Sequence, residues 1–142
     1  MTETKHSETK HPAHEAGRRC REAVIARDKE AWLAMFAEDA ILEDPIGPSA
    51  FDPEGKGHRG HDAISAFWDL AIAPTTKIEF FFRDTYQCGN EEANVGHILI
   101  TTGDYQTTAE GVFTYKANDE GQVVALRAYW EMEQAVASTR KV

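Results

Sequence analysis

The sequence has 142 residues, 42% hydrophobic and 27% charged, with a formal net charge of -9, and a chain of this size buries one core without staples. The negative balance repels phosphate backbones and offers no basic stripe, which argues against nucleic acid as a partner, and no apolar run approaches the ~20 residues that cross a bilayer. Two cysteines, Cys20 and Cys88, make neither a disulfide framework nor a CxxC pair; with no cationic apolar leader at the start, a cytoplasmic address is expected, with the thiols used for packing.

Residues 1–12 are polar and lack apolar periodicity, so they are expected to form a disordered tail. His6, His11 and His14 lie in or beside it without an acidic or thiol partner at ligand spacing, and no metal site is read there. From Glu15 onward Ala16, Cys20, Ala23 and Val24 recur on one helical face. The basic run Arg18-Arg19-Cys20-Arg21 is read as a solvated side of that helix. Asp28 is a candidate N-cap for a second helix, whose stripe is Trp32, Met35 and Phe36. A short strand over residues 40–44 follows, stopped by Pro45, which also restrains Asp44 to an extended backbone.

Prolines and glycines crowd residues 45–60, which predicts a long loop of the kind that forms lids and binding edges. A third helix opens near His61 and ends before Pro74, with Ile64, Phe67, Trp68 and Ala71 on one side. His58 and His61 are read as a solvent-facing pair. The chain then changes period: residues 77–82, 92–102, 106–116 and 122–132 are rich in β-branched and aromatic residues between Gly, Asn and Asp clusters, which predicts an antiparallel meander. In its last strand Val124, Leu126, Ala128, Trp130 and Met132 point one way, and Val123, Ala125, Arg127, Tyr129 and Glu131 the other. Gly111, Phe113 and Tyr115 share a face of the strand before it. Helices first and strands after give an α+β domain over residues 13–135, three helices on a curved, mostly antiparallel sheet, with a tail over 136–142. Such a sheet encloses a cone-shaped apolar pocket suited to a flat, apolar small molecule.

Asp44 carries two readings. A carboxyl in an apolar surround has a raised pKa and can take a proton from a carbon next to a carbonyl and return it elsewhere on the ligand. Asp-Pro also initiates turns with no chemistry attached. No dinucleotide, P-loop, zinc-protease or serine-hydrolase motif occurs.

The stretch from Met35 to Gly47, MFAEDAILEDPIG, the segment from Gly60 to Trp68, GHDAISAFW, and the closing Ala128-Tyr129-Trp130 resemble ketosteroid isomerase and its relatives in the nuclear-transport-factor-2-like, or SnoaL-like, superfamily. The likeness runs from about Ala16 to Met132, and Glu43-Asp44-Pro45 after a short strand is its most specific piece. It implies a cofactor-independent isomerase, a homodimer pairing through the outer sheet face with Val123 and Ala125 at the contact, and Asp44 as the base that shuttles a proton between two carbons of a 3-oxosteroid. The pocket it implies includes Cys20, Phe36, Trp68, Phe113, Tyr115, Leu126 and Trp130. Members of the family stabilise the dienolate oxygen with a Tyr and a protonated Asp. By ungapped counting Cys20 and Phe113 stand in those places here, and Phe36 and Trp68 in those of two supporting tyrosines. The Trp68 indole and the Tyr115 hydroxyl are the candidate replacement donors. A weakly catalytic or non-catalytic steroid binder, and a cyclase or dehydratase of this fold that pairs His97 with Asp44, are the alternatives.

Overall fold

The computed structural model describes residues 11–142. Its elements in chain order are α1 (Pro12–Ile25), α2 (Lys29–Ala34), β1 (Phe36–Glu43), β2 (His58–Arg59), α3 (His61–Phe67) running into a π-helical turn (Trp68–Ile72), β3 (Lys77–Cys88), β4 (Glu91–Thr102), β5 (Tyr105–Ala117), β6 (Val123–Trp130), α4 (Met132–Ala137) and β7 (Arg140–Lys141). One sheet runs β2-β1-β6-β5-β4-β3, with β7 beside the start of β5. The β3-β4-β5-β6 meander is antiparallel as expected, whereas β1 joins β6 in parallel. Chain and sheet together form the expected α+β architecture, with α1 laid across β3 to β6.

The sheet curls because two glycines lie side by side at the bend. Gly96 pairs with Phe82 on one side and with Gly111 on the other, and Gly111 pairs with Trp130. A Cβ on Gly96 would come within 2.8 Å of the Phe82 Cα, and one on Gly111 within 3.0 Å of the Tyr129 carbonyl carbon, with the carbonyl oxygen closer still. The strands close on the space a side chain would take, and a bulge at Arg83 adds to the bend.

Helix α1 starts earlier than its apolar spacing suggests. His11 caps it: its Nδ1 accepts from the Ala13 N–H at 3.2 Å, which leaves Nε2–H to donate to the Gly89 carbonyl at 2.8 Å. Residues 1–10 of the expected tail, His6 among them, lie outside the described residues. His14 Nδ1 lies 2.6 Å from the carboxylate of Glu92, which is 1% exposed and also accepts from Gln87 and Asn94. His11 and His14 therefore anchor the helix to the sheet.

Other expectations change for identifiable reasons. Helix α2 is capped by Asp28, which accepts from the Ala31 N–H at 3.0 Å, but it ends at Ala34. Met35 accepts from the Val123 N–H, and Phe36 pairs with Val123, so the sheet takes the chain four residues before the expected strand. Val123 is 0% exposed and faces inward, contrary to the predicted alternation. The reason is an extra residue: Lys116 pairs with Ala125 and Ala117 with Val123, so Val124 is bulged out and the phase flips. Val123 is thereby removed from any outer contact. The expected tail over 136–142 instead completes α4 and adds β7. Cys20 is buried, but Cys88 is exposed at the end of β3 and lies outside the core.

The bend makes a stability prediction. Gly111→Ala places a methyl group against the Tyr129 backbone and is expected to cost about 2–3 kcal/mol, read as a lower urea midpoint; an unchanged midpoint would show that the sheet relaxes freely there.

Candidate functional site

Strand β1 presents two carboxylates to opposite faces. Leu42 is buried on the inner face; Glu43, on the other, pairs with Arg127 of β6, whose Nε donates at 2.7 Å; Asp44 returns to the inside just before Pro45 ends the strand. Period two thus decides which acid is neutralised on the outer face and which enters the hollow of the sheet. There the Trp130 indole Nε1–H, from the end of β6, donates to Asp44 Oδ1 at 2.7 Å. Among the described residues, Asp44 Oδ2 receives no hydrogen bond.

The hollow is a cavity of about 320 Å³, within the range of small-molecule sites. Its walls are mainly apolar: Leu42, Phe80, Ile98, Phe113 and Leu126 from the sheet, with Val24 and Trp32 from the first two helices. Phe51 reaches it from the 45–57 loop and packs edge-on against Phe67 at 5.8 Å. That loop is fastened by Asp52, whose buried carboxylate accepts from the backbone N–H groups of Gly55, Lys56 and Gly57. Met132, Ala135 and Val136 of α4 close another side.

Burial in these walls raises the Asp44 pKa above the ordinary carboxylate value, and the Trp130 hydrogen bond opposes the rise only in part. Burial also pushes the Cys20 thiol and the Tyr115 hydroxyl up to about 12 each, so both stay neutral.

Asp44, Cys20, Phe113, Tyr115, Leu126 and Trp130 all line the cavity. Phe36 and Trp68 do not reach it. Trp32 stands in front of both, its ring 4.8 Å from that of Phe36 and 5.1 Å from that of Trp68, so the two residues form the layer behind the wall. Trp68 is therefore not among the residues that line the cavity. His97 stacks on Phe81 at 5.1 Å and approaches Glu110 on the outer face of the sheet, so the His97–Asp44 pairing of a dehydratase is not formed. His58 and His61 are not a solvent-facing pair. The first packs on Phe67, and the second bonds the Phe36 carbonyl at 2.8 Å.

Sequence reasoning missed Trp32, Phe51, α4 and, above all, Arg21. Arg18 of the basic run does face solvent, paired with Glu15 and Glu22. Arg21 instead lines the cavity. The signal was present in the spacing: Ala13, Gly17, Arg21 and Val24 lie on one helical face.

The model of the SnoaL-like domain family matches residues 18–135. A protein named steroid Delta-isomerase from Nocardioides simplex is 26% identical over 109 residues, covering 77% of this chain and 81% of that one. The structure of the Delta 5-3-ketosteroid isomerase from a Mycobacterium species is 32% identical with a TM-score of 0.81, covering 92% of this chain and 98% of that one. RV0760c of Mycobacterium tuberculosis, solved in complex with estradiol-17beta-hemisuccinate, is 30% identical with a TM-score of 0.81, covering 92% and 99% of the two chains.

A carboxyl with a raised folded pKa makes the native state less stable as pH climbs from the unfolded value through the folded one. Asp44→Asn removes that cost and is expected to raise the melting temperature at neutral pH, the gain shrinking to nothing below about pH 4, where the unfolded-state carboxyl is protonated too. A variant that melts below the wild type at neutral pH would mean that the carboxylate is held by bonds stronger than the dehydration.

Proposed function

The chain belongs to the SnoaL-like domain family, among its ketosteroid-isomerase-like members, and from that premise we propose that it binds a steroid or similar flat, apolar ketone and moves a proton within it through Asp44. The observation that carries this reading is the Asp44 carboxyl itself, partly desolvated at an apolar cavity with one oxygen held by Trp130 and the other unbonded. Ionised Asp44 takes a proton from a carbon beside the carbonyl; electrons move toward the carbonyl oxygen to give a dienolate; the carboxyl returns the proton at the far end of the conjugated system. Trp130 fixes Oδ1, so Oδ2 is the oxygen that travels between the two carbons. Isomerisation needs no cofactor. The Tyr115 hydroxyl is the neutral donor for the dienolate oxygen, kept protonated by its burial. The names of the Nocardioides and Mycobacterium relatives, and the steroid ester in RV0760c, support the ligand class.

Cys20 and Phe113 favour a second reading, that of a steroid binder with little turnover. Both line the cavity where donors are wanted, yet a thiol is a weak donor and a phenyl ring none, and one missing oxyanion donor costs ~100- to 1,000-fold in rate.

Following the conjugation of a 5-ene-3-ketosteroid by ultraviolet absorbance separates the two. Under the isomerase reading Asp44→Asn lowers kcat at least ~100-fold, and kcat/KM rises with pH to a midpoint above the ordinary carboxylate value. Trp130→Phe moves that midpoint higher still, since the indole N–H favours the ionised form. Turnover that survives Asp44→Asn contradicts the proton shuttle, and tight binding with no turnover by the wild type selects the binder.

We also propose a homodimer through the outer sheet face, where Phe81 and Tyr129 are about half exposed, at 47% and 50%. Light scattering at micromolar concentration should give twice the chain mass of 15.9 kDa; a monomeric mass contradicts it.

A further inference from the structure

Among the described residues Arg21 is the one permanent cation on the cavity wall, and its placement is built rather than incidental. Gly17, one helical turn earlier, leaves room for the Tyr115 ring beneath α1: a Cβ there would lie 2.8 Å from Tyr115 Cδ1. The Arg21 guanidinium carbon sits 5.1 Å from the centroid of the Phe82 ring and 5.3 Å from that of Tyr115, held by two aromatic faces from β3 and β5. Its Nη1 is buried without a hydrogen-bond partner among the described residues. Aromatic faces receive the charge but do not satisfy N–H groups, and a buried charged donor left unmet is destabilising.

No other group on the cavity wall meets Nη1 in hydrogen-bonding geometry among the described residues. Cys20 and Tyr115 stay neutral and so bring Arg21 no counter-charge, although the Tyr115 hydroxyl is close enough for the guanidinium to oppose the rise in its pKa, and Asp44 takes its hydrogen bond from Trp130. The cavity thus has mainly apolar walls with a cation, Arg21, and a carboxyl, Asp44, that takes its hydrogen bond from Trp130.

We propose that Arg21, with the Tyr115 hydroxyl beside it, is a receptor for an ionised acidic oxygen, a carboxylate, phenolate or enolate, carried by the flat apolar ligand. Arg21 offers N–H groups and full charge where the family's neutral donors are replaced by Cys20 and Phe113. This rests on the cavity being the ligand site, and not on Asp44 acting as a base.

Calorimetric titration of the full chain at neutral pH with anthracene-2-carboxylate and with its uncharged carboxamide tests it. The wild type is expected to bind the acid about tenfold or more tightly than the amide, the scale of a hydrogen bond to a charged group. Arg21→Met abolishes the preference and Arg21→Lys keeps part of it. Should Arg21→Met fail to fold, Tyr115→Phe, which keeps the ring and drops the hydroxyl, is expected to reduce the preference. A wild type that favours the amide, or a preference equal in wild type and Arg21→Met, overturns the receptor while leaving the proton shuttle standing. Binding of neither compound by the wild type overturns the receptor and the ligand-site reading together.

Discussion

Bringing a carboxyl out of water and against an indole N–H requires several distant parts of the chain to arrive at one point. Asp44 comes from the end of β1 and Trp130 from the end of β6, the strand that β1 joins in parallel. The parallel pairing holds Leu42 beside Leu126 and Glu43 beside Arg127, so the two partners overshoot the ladder together. The bend at Gly96 and Gly111 turns the same edge of the sheet over the helices, and Trp130 is itself the residue paired with Gly111. One row of residues therefore both curves the sheet and delivers the hydrogen bond. The acid is costly to ionise there, and that cost gives a proton acceptor near its carbon acid a driving force that a surface carboxylate lacks.

The two polar features of the cavity divide its work. Asp44 and Trp130 stand on the β1–β6 wall, while Arg21 and Tyr115 stand on the wall made by α1, β3 and β5. Arg21 does not contribute to the Asp44 shift, which comes from burial and the indole alone. A ligand spanning the cavity meets a proton acceptor on one wall and a cationic donor on the other. Under the proposed reading, the charged donor at Arg21 serves the same cavity in which Cys20 and Phe113 offer a ligand oxygen little or nothing.

Much of this was legible in the sequence. The meander, the Asp28 cap, the placement of Asp44 after a strand and the inward set Phe113, Tyr115, Leu126 and Trp130 follow from period and punctuation. What was not legible depends on tertiary partners. Nothing local ends α2 at Ala34; the competitor is the Val123 backbone, far along the chain. The bulge that turns Val123 inward has no sequence mark. Trp32, Phe36 and Trp68 are equally apolar, and only packing decides that the first faces the cavity and the others lie behind it. The basic run obscured Arg21, because three arginines in four residues read as one solvated patch although the helix sends them to different sides.

The proposed chemistry depends on the Asp44 carboxyl being dehydrated in the folded protein. Titration of its side-chain carbon by NMR, assigned by comparison with Asp44→Asn, measures this without any ligand or substrate. A dehydrated carboxyl gives a midpoint clearly above that of an aspartate in water, moving higher when the indole donor is removed. A midpoint at or below the solvent value would mean that the carboxyl is hydrated or bound by further donors, and the cavity would then lack the acid on which the proposed chemistry depends.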